Sequence, residues 1–240
     1  MNGKSGKFAQ LIVTVAAAVS APCPGAEPVK LKPHDSVYEL HMGPLTLGDA
    51  KFSLTPGEAE NCYRYQYAAT PQGIARLFVS QIREITDFCA TGSGLQSQHF
   101  EFHRADRAAK DYVLDFDWDR KVMRGGDPAE QKLPPGTLDR LAIQQAVRLW
   151  VMAHVADDKP PGDVEFSMAD RTRVTTYKFA LGRREQIKVP AGTFDTIIVQ
   201  RVDDPKKTMR FWIAPERDYT PVKVVQDQEG QPELRMLLVR

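Results

Sequence analysis

The stretch from Asn61 to Cys89 reads NCYRYQYAATPQGIARLFVSQIREITDFC. Its two ends, 61–68 and 79–89, alternate apolar and polar residues, the period of a half-buried β-strand. A hairpin centred between Ala75 and Arg76 sets Cys62 opposite Cys89, because each lies equally far from the centre. Opposed strand positions bring Cβ atoms within disulfide range. Closing a loop of this size stabilises by about 3–4 kcal/mol in the chain-entropy model. The sequence holds no C-x-x-C pair, so the spacing predicts a structural disulfide rather than a redox-active one.

The same period of two extends in both directions. Towards the N-terminus it predicts strands at Ser36–His41 and Thr46–Leu54. Towards the C-terminus it predicts Gln96–His103 and Asp111–Val122, then Asp163–Met168, Arg173–Leu181, Glu185–Val189, Phe194–Val202, Thr208–Ile213, Val222–Gln226 and Glu233–Val239. Turn residues punctuate the series: Gly43-Pro44, Pro56-Gly57, Gly92-Ser93-Gly94, Gly125-Gly126, Pro190-Ala191-Gly192, Asp203-Asp204-Pro205 and Glu229-Gly230. Strands and turns this close together imply antiparallel pairing with local connections.

One segment breaks the alternation. Leu133-Pro134-Pro135-Gly136 stops a strand, and Thr137 then suits a helix N-cap, with Asp139 in the first turn. The helix is predicted over about 137–154, ended by Asp157-Asp158-Lys159-Pro160-Pro161-Gly162. Ala142, Ile143, Ala146, Val147, Leu149, Trp150 and Ala153 share one face, with Arg140, Gln144 and Arg148 opposite. A long antiparallel sheet twists and curls, and a single amphipathic helix is the natural plug for its concave face. The expected fold is therefore mainly β: a long, strongly curved antiparallel sheet, an incomplete β-barrel, wrapping one central α-helix as a single domain over 27–240.

The chain has 240 residues, with 32 Lys+Arg against 31 Asp+Glu and 42% hydrophobic residues. These values exclude a multi-span membrane protein, a disordered chain and a collagen-like repeat. With no excess of cations to displace counterions, they also argue against nucleic-acid binding by bulk charge. Residues 1–26 have the layout of an export signal: Lys4 and Lys7, the uncharged apolar run Leu11–Val19, then small residues. Cys23 is not expected to be lipidated, because Pro22 precedes it. The remaining stretch has no second apolar run of transmembrane length. Export to an oxidising periplasm agrees with the predicted disulfide.

A set of motifs then identifies a resemblance. Tyr38-Glu39 precedes Gly48-Asp49-Ala50. Phe116-Asp117-Trp118-Asp119 and Pro134-Pro135-Gly136, with Asp139 beyond, come next. Pro190-Ala191-Gly192-Thr193-Phe194-Asp195-Thr196 follows, and Phe211-Trp212-Ile213-Ala214-Pro215 runs on to Pro221-Val222. This pattern resembles the exported proteobacterial domain-of-unknown-function family numbered 3108, over about Val37 to Val239. The resemblance implies a periplasmic β-rich domain and transfers no activity and no site residues. The outline is similar to the incomplete β-barrels of periplasmic lipoprotein carriers, an analogy of fold alone. The Cys62/Cys89 pair and the charged loop Asp170-Arg171-Thr172-Arg173 depart from the family pattern.

No motif points to catalysis, a metal or a cofactor: nucleophile elbow, phosphate loop, H-E-x-x-H and dinucleotide fingerprint are all missing. His99-Phe100-Glu101-Phe102-His103 puts two histidines and a carboxylate on one strand face. Strand positions i and i+4 are about 13 Å apart, however, too far for one metal to reach both. Asp115, Asp117 and Asp119 are expected to form a solvated strand face, and His34, His41 and His154 are isolated. The apolar inventory is more informative. Phe116, Trp118, Ile143, Val147, Trp150 and Trp212 are candidates to line a cavity between sheet and helix. Gln72–Phe78 offers an apolar flap at its mouth through Ile74, Leu77 and Phe78. A concave apolar pocket suits a lipid-like ligand. The sequence thus points to a non-enzymatic binding or carrier module for a hydrophobic ligand in the cell envelope. The alternative is an envelope interaction or assembly factor whose sheet edge or flap docks a partner protein.

Overall fold

The computed structural model describes residues 29–155 and 162–240. The expected signal segment 1–26, Cys23 within it, and the helix stop at 157–161 lie outside the described residues. The elements, in chain order, are β1 His34–Met42, β2 Leu45–Pro56, β3 Cys62–Pro71, β4 Ile82–Thr91, β5 Gly94–Arg104, β6 Tyr112–Asp117, β7 Val122–Arg124, β8 Glu130–Lys132 and β9 Leu138–Asp139. Then come α1 Ala142–His154, β10 Val164–Ala169, β11 Val174–Val189, β12 Gly192–Arg201, β13 Lys207–Ala214, β14 Thr220–Gln228 and β15 Leu234–Leu238. The protein is mainly β with one α-helix among the described residues.

All strands join one 15-stranded sheet in the order β8-β7-β6-β5-β4-β3-β2-β1-β15-β14-β13-β12-β11-β10-β9. Two antiparallel meanders, β1 to β8 and β10 to β15, are stitched together where the first strand pairs with the last, Tyr38 opposite Leu238. β9 adds to β10 in parallel. The two borders, β8 and β9, are not hydrogen-bonded to each other, so the ladder does not close. They are nevertheless only a short Leu133–Thr137 connection apart in sequence, and their neighbourhoods touch. The Asp127 amide donates to the Arg171 carbonyl at 2.7 Å, the Gln131 side chain donates to the same carbonyl at 3.1 Å, and Tyr112 Oη donates to Asp170 at 2.8 Å.

The hairpin register is as predicted. Cys62 pairs with Cys89, Ala69 pairs with Ile82, and the two cysteines form a disulfide. A 3-10 turn at Gly73–Leu77 makes the connection. Elsewhere the boundaries differ. The single strand expected at Asp111–Val122 is broken after Asp117, whose carboxylate accepts the Arg120 amide at 2.9 Å while Lys121 takes φ 56°. Asp119 therefore sits in a turn, and the three aspartates share no strand face. Arg173–Leu181 and Glu185–Val189 merge into β11, with an irregularity between Leu181 and Arg184.

The helix starts later than expected, because Leu138–Asp139 is taken by β9. Thr137 does not cap it; its hydroxyl donates to the Pro134 carbonyl at 2.8 Å. Asp139 does the capping, accepting the Leu141 and Ala142 amides at 2.9 and 2.8 Å. The buried face is also rotated from the expected one. Gln145 and Arg148 are buried, Leu149 and Trp150 are half-buried, and Ala153 is exposed. Burial of Arg148 is tolerated because its Nε donates to the Asp218 carbonyl at 2.7 Å and its Nη1 to Gln145 at 3.1 Å. Tertiary hydrogen bonds, not the apolar stripe alone, set how this helix is turned.

One glycine is required by space. Gly48 stands at φ 144°, opposite the bulge between Leu40 and His41, and a Cβ there would fall 2.2 Å from the Thr70 carbonyl oxygen. No described helix is long and apolar enough to cross a membrane.

Candidate functional site: a cavity at one end of the sheet

In an antiparallel meander, alternate turns fall at the same end. The pairings place the β1–β2, β3–β4, β5–β6, β10–β11, β12–β13 and β14–β15 connections at one rim. A cavity of about 360 Å³ is lined from strands that begin or end there. Its apolar wall includes Leu40, Phe52, Met168, Phe179, Met209, Phe211, Val224, Leu234 and Met236, with Ile143 and Val147 from α1. The sequence origin of this wall is simple. Inward positions alternate along a strand, so Lys207, Met209 and Phe211 of β13 face the cavity in succession, as do Gln226 and Val224 of β14.

Polar groups gather in the same space. Arg140 donates to Glu84 at 2.8 Å and lies 5.3 Å over the Phe102 ring. Protein surrounds Arg140 on most sides, yet its side chain is 41% exposed, because it borders the cavity instead of packed atoms. Glu84 is almost wholly buried, and that burial pushes its carboxyl up. The nearby Arg140 charge opposes the shift, while Asp139 and Asp170 add to it. Tyr67, also in the wall, is pushed up to about 12 by burial, reinforced by Glu84. Arg201 stacks 3.7 Å over Tyr177 and forms a two-pronged pair with Asp203. Gln144, Asp170, Lys207 and Gln226 complete the polar part of the lining.

The expected cavity residues are distributed as follows. Ile143 and Val147 line the cavity. Phe116 is buried and stacks with Trp118, whose indole donates to the Ser97 carbonyl at 2.7 Å. Trp150 is half-buried beside His154. Trp212 is buried, with its indole donating to Glu185 at 3.3 Å and Lys223 lying 4.3 Å over its ring. Those four aromatics do not border the cavity. Ile74, Leu77 and Phe78 are 65%, 83% and 55% exposed, on the β3–β4 connection at the cavity's rim. Apart from Ile143 and Val147, the lining was not singled out from the sequence, its charged members Glu84, Arg140, Asp170, Arg201 and Lys207 included. Glu84 and Arg201 lie within strands that the period of two predicts, and Lys207 is in period-two register with Met209 and Phe211.

His99, Glu101 and His103 form a ladder on the outer face of β5. His99 Nδ1 pairs with Asp115 at 2.7 Å and its Nε2 with Glu101 at 3.0 Å, while His103 Nε2 pairs with Glu101 at 2.8 Å and its Nδ1 with Asp111 at 3.2 Å. Each ring nitrogen is occupied by a carboxylate oxygen. Partial burial pulls His99 down, but its hydrogen bonds to Asp115 and Glu101 outweigh this and hold it above its ordinary value. Hydrogen bonds donated to the Glu101 and Asp111 carboxylates raise His103.

Comparison with known proteins gives fold and family but no activity. No curated protein matches the chain. The crystal structure of a β-barrel-like protein of domain of unknown function DUF1849 from Brucella abortus is similar, with a TM-score of 0.57 and 17% identity. The match covers 88% of this chain and 98% of that one. At that identity the likeness is one of fold alone. The sequence profile of the family described as "protein of unknown function (DUF3108)" matches residues 37–239. The chain belongs to the DUF3108 family.

Proposed function

We propose that this protein is an exported, non-enzymatic binding or carrier module for a lipid-like ligand in the cell envelope, its sheet curling around α1. The observation that carries the reading is the cavity: about 360 Å³, walled by Leu, Ile, Val, Phe and Met from both sheet and helix. That volume lies within the range of small-molecule sites, roughly 300–1,000 Å³. Methionines such as Met168, Met209 and Met236 adapt their shape to flexible chains. The signal-like segment 1–26 and the Cys62–Cys89 disulfide favour the periplasm.

Native mass spectrometry of protein purified from a periplasmic extract without detergent tests this, followed by organic extraction. The expected result is a stoichiometric adduct of lipid size on a chain lacking its first residues. A clean apo mass would retire a tight lipid site. It would shift weight to the second reading, docking of a partner protein, for which the exposed Ile74, Leu77 and Phe78 are the supporting observation.

A further inference from the structure

We propose that the ligand is a single-chain amphiphile with an anionic headgroup, seated with its charge against Lys207 at the rim and its chain running inward past Met209 and Phe211. This rests on the carrier reading above and adds the chemistry of the ligand.

Three observations lead to it. First, size: 360 Å³ is near the lower end of the range for ligand sites, which suits one acyl chain better than two. Second, charge. The cations bordering the cavity are Arg140, Arg201 and Lys207. Arg140 is held by Glu84, and Arg201 is held by Asp203. Lys207 is half-buried, and among the described residues no carboxylate lies within 4.0 Å of its ammonium. It is the cation left to meet a ligand's charge. Third, direction. Lys207 is the first residue of β13, at the rim, and the next inward-facing positions are Met209 and Phe211. The lining thus changes from cationic to apolar along one strand, as an amphiphile would require. Glu84 and Asp170 sit on the β4 and β10 side of the lining and would repel an anionic head there, which fixes the orientation.

The test is titration of the mature protein with dodecanoate, dodecyl phosphate and the uncharged dodecanol, below their micellar concentrations. Both anions are expected to bind about tenfold more tightly than the alcohol, the size of one charge-assisted contact. Lys207→Gln is expected to abolish that difference. Lys206→Gln is the control, because Lys206 is exposed and paired with Glu229 at 3.2 Å; it should keep the difference. The ratio between dodecanoate and dodecyl phosphate separates a fatty-acid site from a phosphate-headed one. Equal binding of alcohol and anions, or an anion preference that survives Lys207→Gln, would overturn this inference and leave the apolar cavity standing. Failure of all three chains to bind would bring down the carrier reading itself.

Discussion

Asp139 is fully buried, and its carboxylate accepts from Thr86 and Ser97, both at 2.6 Å, as well as from the two helix amides. Those hydroxyls come from β4 and β5, so one side chain ties the start of α1 to the opposite meander. Asp139→Ala would strand two hydroxyls and two amides without acceptors. It is expected to cost about 2–5 kcal/mol, read as a lower urea midpoint. Asp139→Asn keeps one acceptor oxygen and should cost less. The outer ladder makes a pH prediction at the same scale. His99 and His103 are raised above 6.5 in the folded chain. Their contribution is therefore complete below pH 6.5 and lost as pH rises through the folded values. Glu101 is lowered from 4.5 by its hydrogen bond to His103, so its contribution is present above pH 4.5 and lost on acidification. The ladder is most stabilising between those limits. Both histidines are about a third exposed or more, so screening keeps the effect below about 1 kcal/mol per pair. Urea midpoints at pH 5.5 and 8.5 should differ in the parent and converge in a His99→Gln, His103→Gln double variant.

At the scale of elements, the β3–β4 hairpin is a closed loop, its cysteines separated by 27 residues. Removing the bond by Cys62→Ser with Cys89→Ser is expected to cost about 3–4 kcal/mol. The denaturation midpoint of the parent should fall towards that of the double variant when dithiothreitol is added. The hairpin was legible because its strands alternate and its cysteines sit symmetrically about the turn. The helix was legible as an element but not in its limits. Capping pattern alone favoured Thr137, whereas pairing of Leu138–Asp139 with Met168–Ala169 draws those residues into the sheet. Local propensity lost there to a long-range ladder.

At the scale of the whole molecule, both borders of the sheet lie next to the Pro-rich connection before α1. Strand β1, near the N-terminus, is held by β15, near the C-terminus. The cavity is a product of that arrangement, since its lining spans β1 to β4 and β10 to β15. Ile143→Trp, projecting from α1 into this space, is expected to fill it. The variant should lose any co-purifying lipid in native mass spectrometry, with a change in stability of no more than about 1–3 kcal/mol. A variant that keeps a stoichiometric adduct would place the ligand elsewhere.

The mainly β character, the hairpin register with its disulfide, the helix after the Pro-rich stop and the family were legible in the sequence, because these rest on short-range periodicity, turn residues and motif spacing. The sequence also marked Ile143 and Val147 as inward-facing. It did not determine the strand order, in which β1 lies between β2 and β15, or the meeting of Arg140 with Glu84, 56 positions apart in sequence. Nor did it show that Gln145 and Arg148 are buried while Ile74, Leu77 and Phe78 are exposed. Those facts depend on which surfaces the sheet brings face to face. Hydrophobicity drives residues out of water without saying where, and only the tertiary pairing of distant strands decides which inward-facing residues close against each other and which are left around a cavity.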